Sequence, residues 1–170
     1  MAAAAQAAAK RVCREIPHTD SLVVTDPGHA RSLWKIREDG AGLSSRSPRD
    51  RPAHAGWEDA AVPPERLGDY LRDFDALLDE HDVQGLPYGH FGDGCLHIRL
   101  DVDLDAPDAT DRYRRLVEEA ADLVASYGGS LSGEHGDGRA RSALLPRMYD
   151  AETMALFGAV KHAFDPTNLL

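Results

Sequence analysis

The sequence is short of cysteine, of positive charge and of long apolar runs, and each shortage excludes a class of protein. The two cysteines, Cys13 and Cys95, form no C-x-x-C pair and cannot build a disulfide framework, which favours a reducing cytosol. A net charge of −10 disfavours binding to nucleic acid. No apolar run approaches the roughly 20 residues that span a bilayer. These features predict a cytoplasmic protein, with peripheral attachment to the inner membrane left open.

The two ends of the chain are unlike the rest. Residues 1–20 are expected to be helical or disordered, because alanine propensity alone supports a helix over about 2–15. This start also lacks the larger apolar core of a signal peptide. The chain closes on F-D-P-T-N-L-L, where two leucines follow a helix, which favours a fragment of a longer protein. Residues 21–170 are expected to form one domain.

The first part of that domain contains local sequence signals for a strand, a helix and a long loop. A β-branched run over 21–25 predicts a strand. Asp26 and Pro27 are typical of the cap and first turn of a helix, on which Trp34 is expected to face the core. Residues 40–63 are rich in Gly, Ser, Pro and Arg and predict a long loop of the kind that binds ligands or closes over them.

The remaining two thirds carry regular periodicity. Apolar residues at helical spacing predict helices over about 64–81 and 109–127, the second stopped by a Gly-Gly pair. A last helical region over about 139–164 is expected to break near Pro146 and restart with Asp150 as its cap.

A hairpin is predicted between the two long helices. Asp93-Gly94 is a strong turn signal, and the strand after it places Leu96, Ile98 and Leu100 on one face and His97, Arg99 and Asp101 on the other. A further strand is expected from Ser130 into a glycine loop. The order β, α, ββ, α, β, α predicts an α+β fold, an antiparallel sheet with helices packed on one face, and ferredoxin-like topology.

Four polar residues flank the two glycine turns. His90 and His97 lie on the two arms of the hairpin, where cross-strand Cα atoms approach to about 5.5 Å. Glu134 and His135 follow the later strand, where glycines free the backbone. Two imidazoles and a carboxylate suit zinc or a similar divalent ion. Structural histidines and a phosphate-binding glycine loop are the alternatives, although neither loop has the G-K-[ST] signature.

Two stretches resemble a known family. P-Y-G-H-F-G-D-G-C-L-H-I-R and G-G-S-L-S-G-E-H-G-D-G-R are similar to the signature segments of the FAD-linked oxidase C-terminal domain, as are W-K-I-R-E and the closing F-D-P-T-N-L-L. That family includes D-lactate dehydrogenase, the glycolate oxidase flavin subunit and D-2-hydroxyglutarate dehydrogenase. The likeness covers most of the chain from Ser21 onward and is greatest to bacterial members with an appended iron–sulfur domain.

The resemblance implies roles for the four polar residues. His90, His97 and Glu134 match the metal ligands of the family, and His135 matches its catalytic base. The implied reaction is FAD-dependent oxidation of a D-2-hydroxy acid of the lactate, glycolate or 2-hydroxyglutarate type to the 2-oxo acid. A divalent metal, with zinc preferred, would assist it.

The resemblance also implies contacts to the substrate and the cofactor. At some positions, however, the sequence departs from the pattern of the family. Arg37 matches an arginine that binds the substrate carboxylate, and Asn168 matches a contact to FAD. Arg99 replaces an asparagine of D-2-hydroxyglutarate dehydrogenase and is a candidate partner for an acidic substrate group. Cys95 replaces another asparagine and is either a packed thiol or an extra soft ligand. The segment W-E-D over 57–59 replaces a lysine-bearing stretch, so no lysine is assigned.

The implied partners lie outside these residues. They are a flavin-binding domain, which supplies most FAD contacts, and an iron–sulfur domain, and a homo-oligomer is compatible with the pattern. The chain alone is expected to bind FAD weakly and not to turn over. The alternatives are a non-catalytic metal-binding or interaction module and a metal-dependent hydrolase that needs no flavin.

Overall fold

A computed structural model describes residues 2–16, 20–39, 42 and 44–169. The chain forms two compact units, Met1–Ala41 and Gly42–Leu170. No helix of the described residues combines the length and the apolarity that crossing a membrane requires.

The first unit contains two helices. Helix α1 spans Ala2–Glu15 and confirms the alanine-driven prediction. Helix α2 spans Pro27–Glu38, and its predicted cap is present, since the Asp26 carboxylate accepts the His29 N–H at 2.8 Å.

Two expectations for this unit are wrong. Residues 21–25 form no strand, because a β-branched run becomes a strand only when a neighbour completes its backbone hydrogen bonds, and none of the described residues does so here. Trp34 is 61% exposed instead of lying in the core. Helix α2 has no buried residue, and its apolar side chains Leu33, Trp34 and Ile36 are each more than half exposed, so no described residue buries this side of the helix.

The second unit is built on a three-stranded antiparallel sheet. Its strands are β1 (His54–Ala61), β2 (Gly85–His90) and β3 (Cys95–Leu100), in the order β1-β3-β2. Helix α3 (Leu67–Glu80), introduced by a 3₁₀ turn, joins β1 to β2, and helix α4 (Ala109–Ser126) follows β3. The α+β class and the antiparallel sheet are confirmed.

The strand expected after Ser130 is reduced to a single antiparallel bridge between Ser130 and Ala61. The Ser130 hydroxyl donates to the Ser132 carbonyl and accepts the Ser132 N–H, and such local bonds compete with a ladder. The bridge nevertheless lies on the outer side of β1, which is where a ferredoxin-like fold places its fourth strand.

The predicted loop over 40–63 contains strand β1, which is a correction. Gly56 and Asp59 are extra residues at two bulges, where the pairing with β3 shifts register. Each bulge reverses the alternation of inward and outward side chains, so the period of two that marks a strand is absent from the sequence. Within this range, Gly40, Ala41 and Leu43 lie outside the described residues.

The core lies between the sheet and helices α3 and α4. The predicted inward face of β3 is buried, with Leu96 and Leu100 each 1% exposed. Trp57 of β1 stacks on Phe74 of α3 at 6.2 Å between ring centroids, and Leu116 of α4 joins the same cluster. Helices therefore cover one face of the sheet, and the residues of the other face, including His97 and Arg99, are available for a site.

The C-terminal part follows the prediction. A short helix α5 (Gly138–Arg141) continues into a 3₁₀ segment, Ser142–Arg147, that contains the proline, and helix α6 (Ala151–Phe164) follows. The Asp150 carboxylate accepts the Thr153 N–H at 2.8 Å, as expected of a cap. Helix α6 has no buried residue.

Candidate functional site

The hairpin brings His90 and His97 together on the face of the sheet opposite to the helices. His90 is the last residue of β2 and pairs with Cys95, whereas His97 pairs with Tyr88. The two histidines are therefore not direct cross-strand partners, although a hairpin with the simplest register would have paired them. Their ring centroids are nevertheless 6.3 Å apart, with the rings nearly perpendicular.

Glu134 and His135 reach the same place from the segment after the Ser130 bridge. Oε1 of Glu134 lies 3.2 Å from Nε2 of His97, 3.6 Å from Nε2 of His90 and 3.6 Å from Nε2 of His135. The His135 ring is parallel to that of His97, with centroids 5.0 Å apart. The four residues that the sequence singled out therefore converge.

The spacing of these atoms suits a divalent ion. Ligands about 2.1 Å from one tetrahedral ion lie about 3.4 Å from one another. The Glu134–histidine distances of 3.2 to 3.6 Å fall around that value for His90, His97 and His135 alike. The ligand atoms that all lie within 4.8 Å of one another belong to Asp59, His97, Glu134 and His135, and His90 is not in this group. Imidazole nitrogen and carboxylate oxygen are also the donors that zinc and similar ions take. The donor set and its geometry therefore fit a metal.

A fifth residue, Asp59, was missed by the sequence reasoning. It lies at the second bulge of β1, is fully buried, and has a positive φ of 92°. Its carboxylate accepts the backbone N–H of Glu134 at 2.9 Å, the N–H of His135 at 2.8 Å and the hydroxyl of Ser132. The only signal in the sequence was an acidic residue next to the apolar run A-A-V.

Asp59 carries its negative charge at neutral pH. Burial raises the pKa of this carboxyl, but the hydrogen bonds from Ser132 and from the N–H groups of His135 and Glu134 outweigh burial and lower the pKa below 3.8. The site therefore holds a second carboxylate beside that of Glu134.

Cys95 lies beneath the site. Its sulfur is buried and points at Oδ1 of Asp59, 3.6 Å away. Burial and the neighbouring Asp59 charge raise the pKa of the thiol to about 11. A thiol that stays protonated next to a carboxylate favours the packed-thiol interpretation over the ligand.

Arg99 lies beside the cluster, two residues along β3 from His97 and on the same face. Its Nε is 3.3 Å from Oε1 of Glu58, yet these atoms are buried and form no aligned hydrogen bond with any described residue. The pair is therefore an ion pair of loose geometry, and a ligand carboxylate could displace Glu58 from it.

The other two predicted contacts lie elsewhere. Arg37 belongs to α2 of the first unit, where its guanidinium lies 5.9 Å from the ring centroid of Trp34. Asn168 follows α6, with its side-chain oxygen 3.2 Å from Lys161 and its N–H bonded to the Asp165 carbonyl. Their roles toward substrate and FAD remain predictions.

The sequence matches a family described as "FAD linked oxidases, C-terminal domain" over residues 1–170. The chain belongs to this family. The resemblance of the two histidine segments is thereby confirmed. Among curated relatives of this FAD-linked oxidase domain, D-2-hydroxyglutarate dehydrogenase of Pseudomonas putida is 44% identical over 138 residues, covering 81% of the chain and 14% of the relative.

Other relatives are also named as dehydrogenases or oxidases of a 2-hydroxy acid. D-2-hydroxyglutarate dehydrogenase of Haemophilus influenzae is 34% identical over 87% of the chain and 14% of the relative. Glycolate oxidase subunit GlcD of Bacillus subtilis is 30% identical over 66% of the chain and 24% of the relative. The FAD-linked oxidase domain described here therefore spans only about a seventh to a quarter of the length of these relatives.

Proposed function

We propose that this domain supplies the substrate-binding and proton-transfer residues of an FAD-dependent enzyme that oxidises a D-2-hydroxy acid to the 2-oxo acid. The convergence of His90, His97, Glu134 and His135 on the face of the sheet opposite to the helices carries the proposal. The names of the relatives, which concern 2-hydroxyglutarate and glycolate, support this class of substrate.

His90, His97 and Glu134 would hold a divalent ion, for which zinc is the preferred candidate. A bound ion would supply Lewis acidity toward the hydroxyl and carboxylate of the substrate. The side chain of His97 is only 10% exposed, whereas those of His90 and Glu134 are more than 40% exposed. The ligand set is therefore anchored on one buried side and open on the other, as a substrate requires.

His135 would accept the proton of the substrate hydroxyl. Half of its side chain is exposed, and its ring is held parallel to that of His97. A general base must lie within hydrogen-bond reach of the proton that it removes, and His135 borders the opening of the ligand set. FAD, when bound, would accept the hydrogen of the substrate C2 together with its two electrons.

The finer assignments are part of the proposal. Arg37 would bind the carboxylate next to the hydroxyl, Asn168 would contact FAD, and Arg99 would pair with a second acidic group. Arg99 suits a substrate with a second acidic group, which lactate and glycolate lack. Because D-2-hydroxyglutarate dehydrogenase has asparagine at this position, the arginine does not by itself select 2-hydroxyglutarate.

The domain is proposed to act within a longer polypeptide. The Haemophilus influenzae and Pseudomonas putida relatives are about seven times its matched length, which leaves room for a flavin-binding domain and an iron–sulfur domain. A cytoplasmic location, at most peripheral to the inner membrane, and self-association remain proposals as well.

Replacing the base tests the function. In the full-length enzyme, His135→Ala should lower kcat by about 10²- to 10⁴-fold, as expected for loss of a general base, while the metal content stays unchanged. His54→Ala is the matched control, since His54 is exposed at the far end of β1. Unchanged turnover in His135→Ala would instead support a non-catalytic metal-binding module.

A further inference from the structure

We propose that Asp59 is a positioning residue that holds the backbone of Glu134 and His135 and thereby presents both side chains to His97. The inference rests on the proposed function, since it concerns the same site, but it assigns a role that the sequence motifs do not contain. Asp59 lies 75 residues away from Glu134 in the chain.

Residues 132–135, which we call the Glu134 segment, all bond to Asp59. The hydroxyl of Ser132 and the N–H groups of Glu134 and His135 donate to its carboxylate, and the Gly133 N–H donates to its backbone carbonyl at 2.7 Å. Successive N–H groups that point into one concavity form a site for an anion. In this protein the anion is a side chain of β1.

These bonds explain how two adjacent residues serve one site. In an extended strand, Glu134 and His135 would point to opposite faces. Because the segment bends around the Asp59 carboxylate, Oε1 of Glu134 and Nε2 of His135 come within 3.6 Å of each other. Without that anchor, the flanking Gly133 and Gly136 would allow many other arrangements.

The position of Asp59 is held at a conformational cost. A φ of 92° is unfavourable for any residue with a Cβ, and such a residue persists only where its surroundings determine it. The bulge that imposes this angle also turns the carboxylate of Asp59 toward the Glu134 segment. Backbone strain, burial and the four hydrogen bonds from residues 132–135 therefore coincide at one residue.

Asp59 is better suited to positioning than to binding the ion directly. Ligand atoms of Asp59, His97, Glu134 and His135 all lie within 4.8 Å of one another, so proximity alone would admit it as a ligand. A carboxylate has about four acceptor positions, and four donors, including the Cys95 thiol, already occupy them. Glu134, by contrast, directs an oxygen at three imidazoles.

The test is Asp59→Asn, which keeps the volume but places an NH₂ group against N–H donors. In zinc titrations of the 170-residue chain against a competing chelator, we expect the dissociation constant to rise about 10- to 100-fold. The visible spectrum of the Co²⁺-loaded chain should also change, since it reports the arrangement of the ligands.

Asp101→Asn is the matched control. Asp101 is 1% exposed and also accepts a backbone N–H, that of Gln84 at 2.6 Å, but it lies just beyond the opposite end of β3. This variant should lose stability while its zinc affinity and Co²⁺ spectrum stay those of the unchanged chain. Equal zinc affinity in Asp59→Asn and the unchanged chain, or an equal loss in Asp101→Asn, overturns the proposal.

Two further measurements cover the remaining outcomes. If Asp59→Asn fails to fold, Ser132→Ala removes one donor and leaves the carboxylate in place, and an unchanged zinc affinity then overturns the proposal. If the unchanged chain binds no zinc, the proposed metal site is wrong. The role of Asp59 is then decided by hydrogen exchange, which should be faster at the Glu134 and His135 amides in Asp59→Asn but not in Asp101→Asn.

Discussion

An ion pair between Arg99 and Glu58 lies beside the proposed metal ligands. Both side chains are about a quarter to a third exposed, and their contact is an ion pair without an aligned hydrogen bond. Because the contacting Nε and Oε1 atoms are buried without an aligned hydrogen bond, the attraction between them only partly offsets the cost of removing them from water. A substrate carboxylate that offers Arg99 two aligned bonds can therefore replace Glu58.

We predict that Arg99→Gln separates substrates by their charge. In the full-length enzyme, loss of a charged hydrogen bond should raise KM for D-2-hydroxyglutarate about 10- to 100-fold and leave KM for D-lactate nearly unchanged. Glu58→Gln is the companion variant and should lower KM for the dicarboxylate, since it frees Arg99. An equal change for both acids would show that Arg99 does not contact the second carboxylate.

The sequence revealed the residues that carry the chemistry but not the one that holds them. His90, His97, Glu134 and His135 flank glycine turns, and this local pattern made them visible. Asp59 acts through hydrogen bonds to backbone groups more than 70 residues away. Every residue except proline has a backbone N–H, so the residue types in the sequence do not show which N–H groups donate to Asp59.

At the scale of elements, the hairpin turn depends on one glycine. Gly94 has a φ of 73°, and its carbonyl accepts the Val62 N–H at 3.0 Å. A Cβ at this position would collide with the Val62 carbonyl oxygen. The turn thus needs glycine both for its backbone angle and for the close approach of the chain after β1.

We predict that Gly94→Ala destabilises the chain by about 2–4 kcal/mol, the range of substitutions that force backbone strain. Gly92→Ala, in the same turn, should change stability by less than about 0.5 kcal/mol, as exposed substitutions do. No atom lies within 4 Å of a Cβ added at Gly92. Urea unfolding measures both, and equal midpoints for the two variants would contradict the assignment.

Helix α6 should depend on pH through its cap. The backbone N–H of Thr153 bonds to Asp150 and lowers the pKa of that carboxyl below 3.8. Its stabilisation is therefore present above pH 3.8 and is lost as the pH falls through the lowered pKa.

In Asp150→Asn, the neutral amide can cap the helix at every pH, so we expect α6 to lose this part of its acid sensitivity. Hydrogen exchange of the α6 amides at neutral and acidic pH measures the effect. Asp108→Asn is the control, because Asp108 precedes α4 without a side-chain cap hydrogen bond. An acid response of α6 that is the same in the unchanged chain and Asp150→Asn would refute the prediction.

Elements were predictable where one local rule decided them. Helices α3 and α4 follow from apolar spacing, and α2 and α6 begin at their aspartate caps. Strand β1 was not predictable, because the bulges at Gly56 and Asp59 erase its alternation. Helix α2 was predicted at its correct place, but the exposure of Trp34 depends on what packs against the helix, which local sequence does not state.

For the whole molecule, the cofactor is expected to depend on residues outside the 170. Because the domain spans 14% of the Haemophilus influenzae and Pseudomonas putida dehydrogenases, most FAD contacts are expected to come from elsewhere. We predict that the 170-residue chain mixed with FAD emerges from gel filtration without stoichiometric flavin absorbance. The full-length enzyme is the positive control, and a yellow chain at one flavin per protein would contradict the prediction.

The bulged strand, the hairpin and the bent Glu134 segment meet only when the sheet is complete, which links ion binding to the folding equilibrium. A cation that recognises this arrangement has no comparable site on the unfolded polypeptide. Saturation at 100 times its dissociation constant would then add about 2.7 kcal/mol to the free energy of unfolding. The melting temperature would rise with the concentration of the ion, so the thermal denaturation curve would itself report the occupancy of the site.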